Sequence, residues 1–321
     1  MKVNNRNWRL WVLWVFWASA FSASASTILF EGKDVRLTLE FSQPEAAKYQ
    51  DEVIQLADHA FSQHKKLFGG LPRDLQGKPY RDVKVSINLA EQIGGDADPG
   101  EVSLTIADNG LFGYASWQTI LIHELFHLWN AESFRYADNR EQWFNEGVTD
   151  FYTYQTAARL GLLTPQQALQ IAALPVGYYS SFENTGKLSM REATINKHSK
   201  IDNYFLVYNG GWVTGMLLDR DIRQRSQGQY SLDNLMRWLY RNYPRHERSY
   251  SMEDIVLGLQ QSCQLDFADF FKRYIDGKQL LPLEQLPLGK AAWALAFNPS
   301  SENPYPWLYQ TLGIVWPHAN E

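Results

Sequence analysis

Cysteine is all but missing: Cys263 is the single one in 321 residues, so no internal disulfide can form and stability must come from packing. It lies between apolar positions of a helical pattern, which reads as a small buried hydrophobe and not as a reactive thiol. Positive charge is not in excess either. A net charge of -5 and a pI near 5.8 leave no electrostatic footprint for nucleic acid or an anionic membrane surface. No Gly-rich phosphate loop and no Gly-x-Ser-x-Gly elbow occur, so nucleotide-dependent and serine-hydrolase chemistry start without support. Internal repeats are lacking as well. What the chain does have is length and 45% hydrophobic residues, enough for a sizeable core in one large domain or two packed subdomains.

The N-terminus carries Lys2, Arg6 and Arg9, then an apolar run from Leu10 to Phe21, then Ser22-Ala23-Ser24-Ala25-Ser26. That order is the order of a secretory signal peptide, with Ala23-x-Ala25 the expected cleavage site and Ala18-x-Ala20 the alternative. A dozen apolar residues is short for a membrane span, which needs roughly 20. A periplasmic or secreted chain with no stable membrane span after cleavage is therefore expected, with residues 1–25 removed.

Thr27 to Phe30 and Val35 to Phe41 favour β-structure and read as a hairpin around Gly32. Helical periodicity follows from Pro44 to Phe68, stopped by Gly69-Gly70. His59 and His64 on it are five apart, off one face, and are read as surface or packing residues. Arg81 to Leu89 alternates like a half-buried strand. Gly94 to Gly100 reads as a solvated turn, and Val102 to Ile106 as a further strand, a possible edge for pairing with a substrate backbone. Ser116 is the expected cap of the next helix. Another helix is predicted over 140–160, capped by Asp138 or Asn139. Thr164-Pro165 opens a short one closing before Pro175. Residues 176–202 read as a long irregular loop, followed by helices over 203–225, 231–243, 251–262 and 265–276 and a tail without clear periodicity.

The chemistry concentrates in His123-Glu124-Leu125-Phe126-His127. Four apart on a helix, His123 and His127 share a face and can offer two imidazoles to one metal ion, while Glu124 leans over the same site as a general base. A catalytic zinc takes three protein ligands and leaves a position for water. The third candidate is Glu146, in Trp143-Phe144-Asn145-Glu146-Gly147-Val148-Thr149-Asp150, on the following helix with eighteen residues between it and His127. Glu132 and Glu141 are rivals by distance along the chain and fit the geometry worse. Ligating histidines pass their other N–H to an acceptor. Asp150, one turn after Glu146, can accept from one histidine, and the side-chain oxygen of Asn145 from the other.

His-Glu-x-x-His with this spacing to Asn-Glu-x-x-x-Asp resembles the glutamate-zincin clan. With Tyr208-Asn209-Gly210-Gly211, Leu218-Asp219-Arg220-Asp221-Ile222-Arg223, Ser231 to Arg237 and Asp269 to Ile275, the chain over about 115–285 is similar to the glycyl aminopeptidase family of zinc peptidases. The resemblance implies Zn2+ as cofactor, a peptide or protein substrate, and Tyr208 as the phenol that donates to the oxyanion; Tyr204, four residues earlier, is its rival. Two departures stand out. Members of that family carry a Gly-Leu-Glu-His type segment before the zinc helix, where this chain has Pro99-Gly100-Glu101-Val102, leaving Glu101 as the candidate for anchoring a substrate amine. Their extended β domain and PDZ-like domain have no room here, and glycine specificity does not carry over.

The expected fold is α+β, a thermolysin-like gluzincin: an N-terminal α/β subdomain over 26–162 with a small sheet and the zinc-binding helices, a helical subdomain over 163–285 supplying Tyr208, and a tail over 286–321. The expected activity is peptide-bond hydrolysis by a zinc-activated water, with Glu124 as base and Tyr208 as oxyanion donor, aminopeptidase ahead of endopeptidase. The alternative is a non-catalytic peptide- or envelope-binding protein on a peptidase scaffold.

Overall fold

Alternation of apolar and polar residues builds the sheet. In the computed structural model, which describes residues 26–107, 115–195, 198–297 and 303–315, β1 (Ser26–Glu31) and β2 (Arg36–Phe41) form the expected antiparallel hairpin. The signal-peptide segment lies outside the described residues. A short 3-10 turn at Pro44–Tyr49 leads into α1 (Gln50–Phe68), which ends where Gly69 turns left-handed at φ 74°. The helix carries the chain over to β3 (Asp82–Leu89), parallel to β2, so β2, α1 and β3 make a crossover unit.

The segment read as a solvated turn is instead a strand. β4 (Gly94–Asp98) runs antiparallel to β5 (Glu101–Ile106), with Asp98 opposite Glu101 and Pro99-Gly100 between them, Gly100 at φ 80°. The sheet order is β1-β2-β3-β5-β4. β5 is thus interior, paired on both sides, and the free edge belongs to β4, which corrects the expectation that Val102 to Ile106 offers the edge. Two glycines and two aspartates have little β-propensity of their own, and the pairing with β5 overrides it.

On one sheet face Leu37, Leu39, Phe41, Val83, Val85, Ile87, Val102, Leu104 and Ile106 are all buried. Against it pack α1 and α2 (Trp117–Asn130). Ser116 caps α2 as expected, its hydroxyl accepting from Thr119 N while Thr119 Oγ1 accepts from Ser116 N. Every residue from Leu121 to Asn130 is buried. A helix apolar nearly all round sits at the centre, and α2 does, between the sheet, α1 and the helix that follows.

Asp138 caps a 3-10 turn at Asn139–Glu141. The expected helix then begins as a π-helical turn, Trp143–Val148, and becomes α3 (Thr149–Arg159). Thr164 and Pro165 start α4 (Pro165–Ser181), which does not stop at Pro175. Proline inside a helix forfeits a hydrogen bond, about 3 kcal/mol, but Ala168, Ala172, Pro175 and Tyr179 form one buried stripe that offsets it. A second π-helical turn, Phe205–Asn209, opens α5 (Gly210–Arg225). α6 (Leu232–Asn242) and α7 (Met252–Cys263) fall where expected, and Cys263 is buried. The last predicted helix is a short α8 (Ala268–Phe270) continuing as a π-helical turn. The tail is helical in α9 (Leu288–Phe297) and α10 (Pro306–Thr311), whose Thr311 bonds the buried Asp219 of α5. No helix among the described residues is long and apolar enough to cross a membrane.

His59 is exposed, while His64 is wholly buried edge-on against Phe126 and Trp129 of α2. Burial lowers its pKa to about 3. The folded value lies below the unfolded one, so the neutral ring costs nothing above pH 6.5 and stability drains away as pH falls from there towards 3. Urea denaturation of His64→Leu between pH 6 and 4 is expected to show a slope shallower than wild type by about 1.4 kcal/mol per pH unit; equal slopes would contradict the assignment.

Candidate active site

α2 brings its two histidines to one face as the i, i+4 spacing requires, and their Nε2 atoms lie 2.9 Å apart. Glu146 Oε2 completes a triangle, 3.5 Å from each Nε2. Donors about 2.1 Å from a tetrahedral ion stand roughly 3.4 Å from one another, so His123, His127 and Glu146, all buried, form a group that could hold one metal ion. The tautomers agree with that use. His123 Nδ1 lies 2.9 Å from Asp150 Oδ1, and a carboxylate can only accept from it, which leaves Nε2 with its lone pair free.

The outer partner expected for His127 is different. Neither His127 Nδ1 nor Asn145 Oδ1 has a hydrogen-bond partner among the described residues, although both are buried. Asn145 works through its backbone instead: its carbonyl accepts from Thr149 Oγ1 at 2.6 Å and from Asn130 Nδ2 at 3.3 Å, and Asn130 also reaches Thr149 Oγ1 at 3.0 Å. The π-helical turn frees this carbonyl from its ordinary partner, and the last residue of α2 takes it up. Asn130 and Thr149 escaped the sequence reading; the signal was an asparagine ending an otherwise apolar helix three residues after His127.

The rival ligands are occupied elsewhere. Glu132 pairs with Arg245, and Glu141 with Arg191 at 2.9 Å. Neither lines the cleft of about 520 Å³ that opens over the histidines, a volume in the range of small-ligand sites. The cleft is walled by β4, by α2, by the Glu146 turn and by the segment bearing Lys200, Tyr204 and Tyr208. Glu101 does not line it and pairs with Lys84 at 3.1 Å; Asp96 on the edge strand is the acid that faces the cleft from that side.

Glu124 is buried beside the metal group. Burial raises its pKa, His123 and His127 pull it down, and Glu146 and Asp96 add to the rise, leaving a carboxyl more basic than usual. Burial also pushes Glu146 up, but the two histidines and Lys200 prevail and hold it well below the carboxylate range. Tyr208 is shifted upward by burial and by Glu146 and Asp150, so its phenol keeps its proton. Tyr204 stacks on it with ring centroids 4.4 Å apart, and the Tyr208 hydroxyl bonds Glu146.

Two glycines set this geometry. A Cβ on Gly147 would lie 2.4 Å from Gly211 Cα, and one on Gly211 would lie 2.0 Å from the Trp143 carbonyl oxygen. The backbones that carry Glu146 and Tyr208 therefore cross in direct contact. A Cβ on Gly95 would lie 2.5 Å from Glu124 Cγ, so the edge strand also closes down on Glu124.

Residues 116–236 match the family model for M61 glycyl aminopeptidases. Among solved structures, an aminopeptidase N family protein from Idiomarina loihiensis aligns with a TM-score of 0.71 at 15% identity, over 84% of this chain and 49% of that one. An M1 zinc metallopeptidase from Deinococcus radiodurans aligns with a TM-score of 0.53 at 14% identity, over 81% of this chain and 52% of that one. A mutant of the Deinococcus enzyme bound to a Tyr-Ser-Ala substrate aligns with a TM-score of 0.52 at 13% identity, over 80% and 53%. The chain spans about half the length of these structures, and what it shares with them is the fold. Among curated proteins none matches. The family match spans the stretch that carries the buried His123, His127 and Glu146 group.

Gly211→Ala is expected to destabilise the protein by about 3 kcal/mol or more, because backbone on both sides blocks the methyl group. Gly177→Ala in α4, with nothing near its Cβ, is expected to stabilise by up to about 1 kcal/mol. Urea midpoints check both; equal effects would contradict the close crossing.

Proposed function

We propose that this chain is an exported zinc peptidase, thermolysin-like in its site, with His123, His127 and Glu146 as ligands. The observation that carries the reading is the convergence of three buried donor atoms beside a raised-pKa carboxylate, with a neutral phenol facing them. Zinc held there would lower the pKa of water and polarise a carbonyl. Glu124, buried and basic, takes the proton from the attacking water and passes it to the leaving amine. The Tyr208 hydroxyl donates to the oxyanion as charge develops on it. Asp150 holds His123 in the ligating tautomer. The edge of β4, directly over Glu124, is suited to pairing with an extended substrate backbone. Export rests on the basic, apolar, small-residue order of residues 2–26.

Exopeptidase action needs an acid for the substrate amine. With Glu101 turned to Lys84, Asp96 takes that role in the aminopeptidase reading. The Tyr-Ser-Ala substrate of the Deinococcus structure supports a short peptide across such a cleft.

Glu124→Gln is expected to keep stoichiometric zinc and to lose about 100- to 10,000-fold in kcat on peptide substrates, and Tyr208→Phe about 100- to 1,000-fold. Full activity in Glu124→Gln would remove the base. Comparison of free with N-acetylated peptides decides the mode: the aminopeptidase reading expects cleavage of the free peptides only, and an Asp96→Asn variant with a raised KM for them. Equal cleavage of both would make the chain an endopeptidase, and zinc bound without turnover of any peptide would favour a binding protein.

A further inference from the structure

The two oxygens of Glu146 are divided between two different tasks. Oε2 faces both histidine Nε2 atoms, and Oε1 accepts from Lys200 Nζ at 2.5 Å, while the Tyr208 hydroxyl also bonds this carboxylate but brings no charge to it. A carboxylate with both oxygens free can close on an ion with two bonds, and the second bond raises an ion with three protein ligands and one water from four-coordinate to five-coordinate. An ammonium on Oε1 prevents that rotation. We propose that Lys200 is a positioning residue that keeps Glu146 a one-oxygen ligand and so keeps the ion four-coordinate, with a single position left for water, an inference that rests on the zinc reading above.

The turn that presents Lys200 is built for it. Asn203, fully buried, donates through Nδ2 to the carbonyls of Ala193 at 3.1 Å and Ser199 at 3.2 Å, and its Oδ1 accepts from Asn184 at 2.9 Å. Ser199 Oγ in turn donates to Asp202 Oδ2 at 2.8 Å and accepts from Asp202 N at 3.1 Å. Lys200 is thereby fixed between two anchored residues, with its ammonium 5.8 Å from the centre of the Tyr208 ring. A flexible surface lysine gains little from an ion pair in water. Here the partner carboxylate is buried, and the charge-assisted bond has a set direction. Lysine or arginine in this place can donate to Oε1 while carrying a charge at any pH near neutrality.

Cobalt(II) loaded into the full chain reports coordination number through its visible bands, which are strong for four-coordinate ions and weak for five. Wild type and Lys200→Arg are expected to give the same strong spectrum, and Lys200→Met to lose at least about half the band intensity as Glu146 binds through both oxygens. Thermal melts of the three metal-free proteins establish that each is folded. A Lys200→Met spectrum superimposable on wild type would overturn the proposal while leaving the zinc reading intact. Failure of the wild-type chain to take up cobalt or zinc at all would overturn the zinc reading, and the proposal with it.

Discussion

Everything at this site depends on ionisable groups being held together, largely buried, at the floor of a cleft. Two imidazoles and the carboxylates of Glu124, Glu146 and Asp150 lie within a few residues' reach of one another and are all buried. Carboxylates so placed raise each other's pKa and are costly to keep charged unless each has a partner. Glu146, with both histidines and Lys200, is held low, whereas burial leaves both Asp150, despite His123, and the less well paired Glu124 raised. The same shortage of counter-charge that makes the cluster expensive suits it to hold a cation and leaves the Glu124 carboxyl raised.

Holding such groups in place falls to backbone contact more than to side chains. The Gly147–Gly211 crossing removes the space in which the Glu146 and Tyr208 helices could slide, and the π-helical turns on both sides of it aim these side chains into the cleft. Each extra residue in a helical turn leaves a carbonyl to be satisfied elsewhere, and at Asn145 the side chains of Asn130 and Thr149 do so. The helix with the histidines is thus tied to the helix with Glu146 by hydrogen bonds at one end and by the shared core along its length.

The site was more legible than the frame around it. His123, His127, Glu146 and Asp150 could be read because each pair obeys the four-residue period of a helix, and a π turn shifts that period without erasing it. Tyr208 needed a family resemblance, since a tyrosine in a helix looks the same whether it packs or donates. The edge strand was not legible: Gly94-Gly95-Asp96-Ala97-Asp98 spells a turn, and only pairing with β5 makes it β, with Gly95 left bare so that the strand can approach Glu124. Pro175 spelled a helix end, which a buried stripe overrode. Lys200 lies in a stretch with no period at all, where nothing local distinguishes one lysine from another.

The central claim is that these three donors close on a single zinc ion. Anomalous scattering measured at the zinc absorption edge from crystals grown with one equivalent of zinc tests it most directly. The account predicts one strong peak about 2.0–2.2 Å from His123 Nε2, His127 Nε2 and Glu146 Oε2. A strong peak elsewhere, with no density among these atoms, would contradict it.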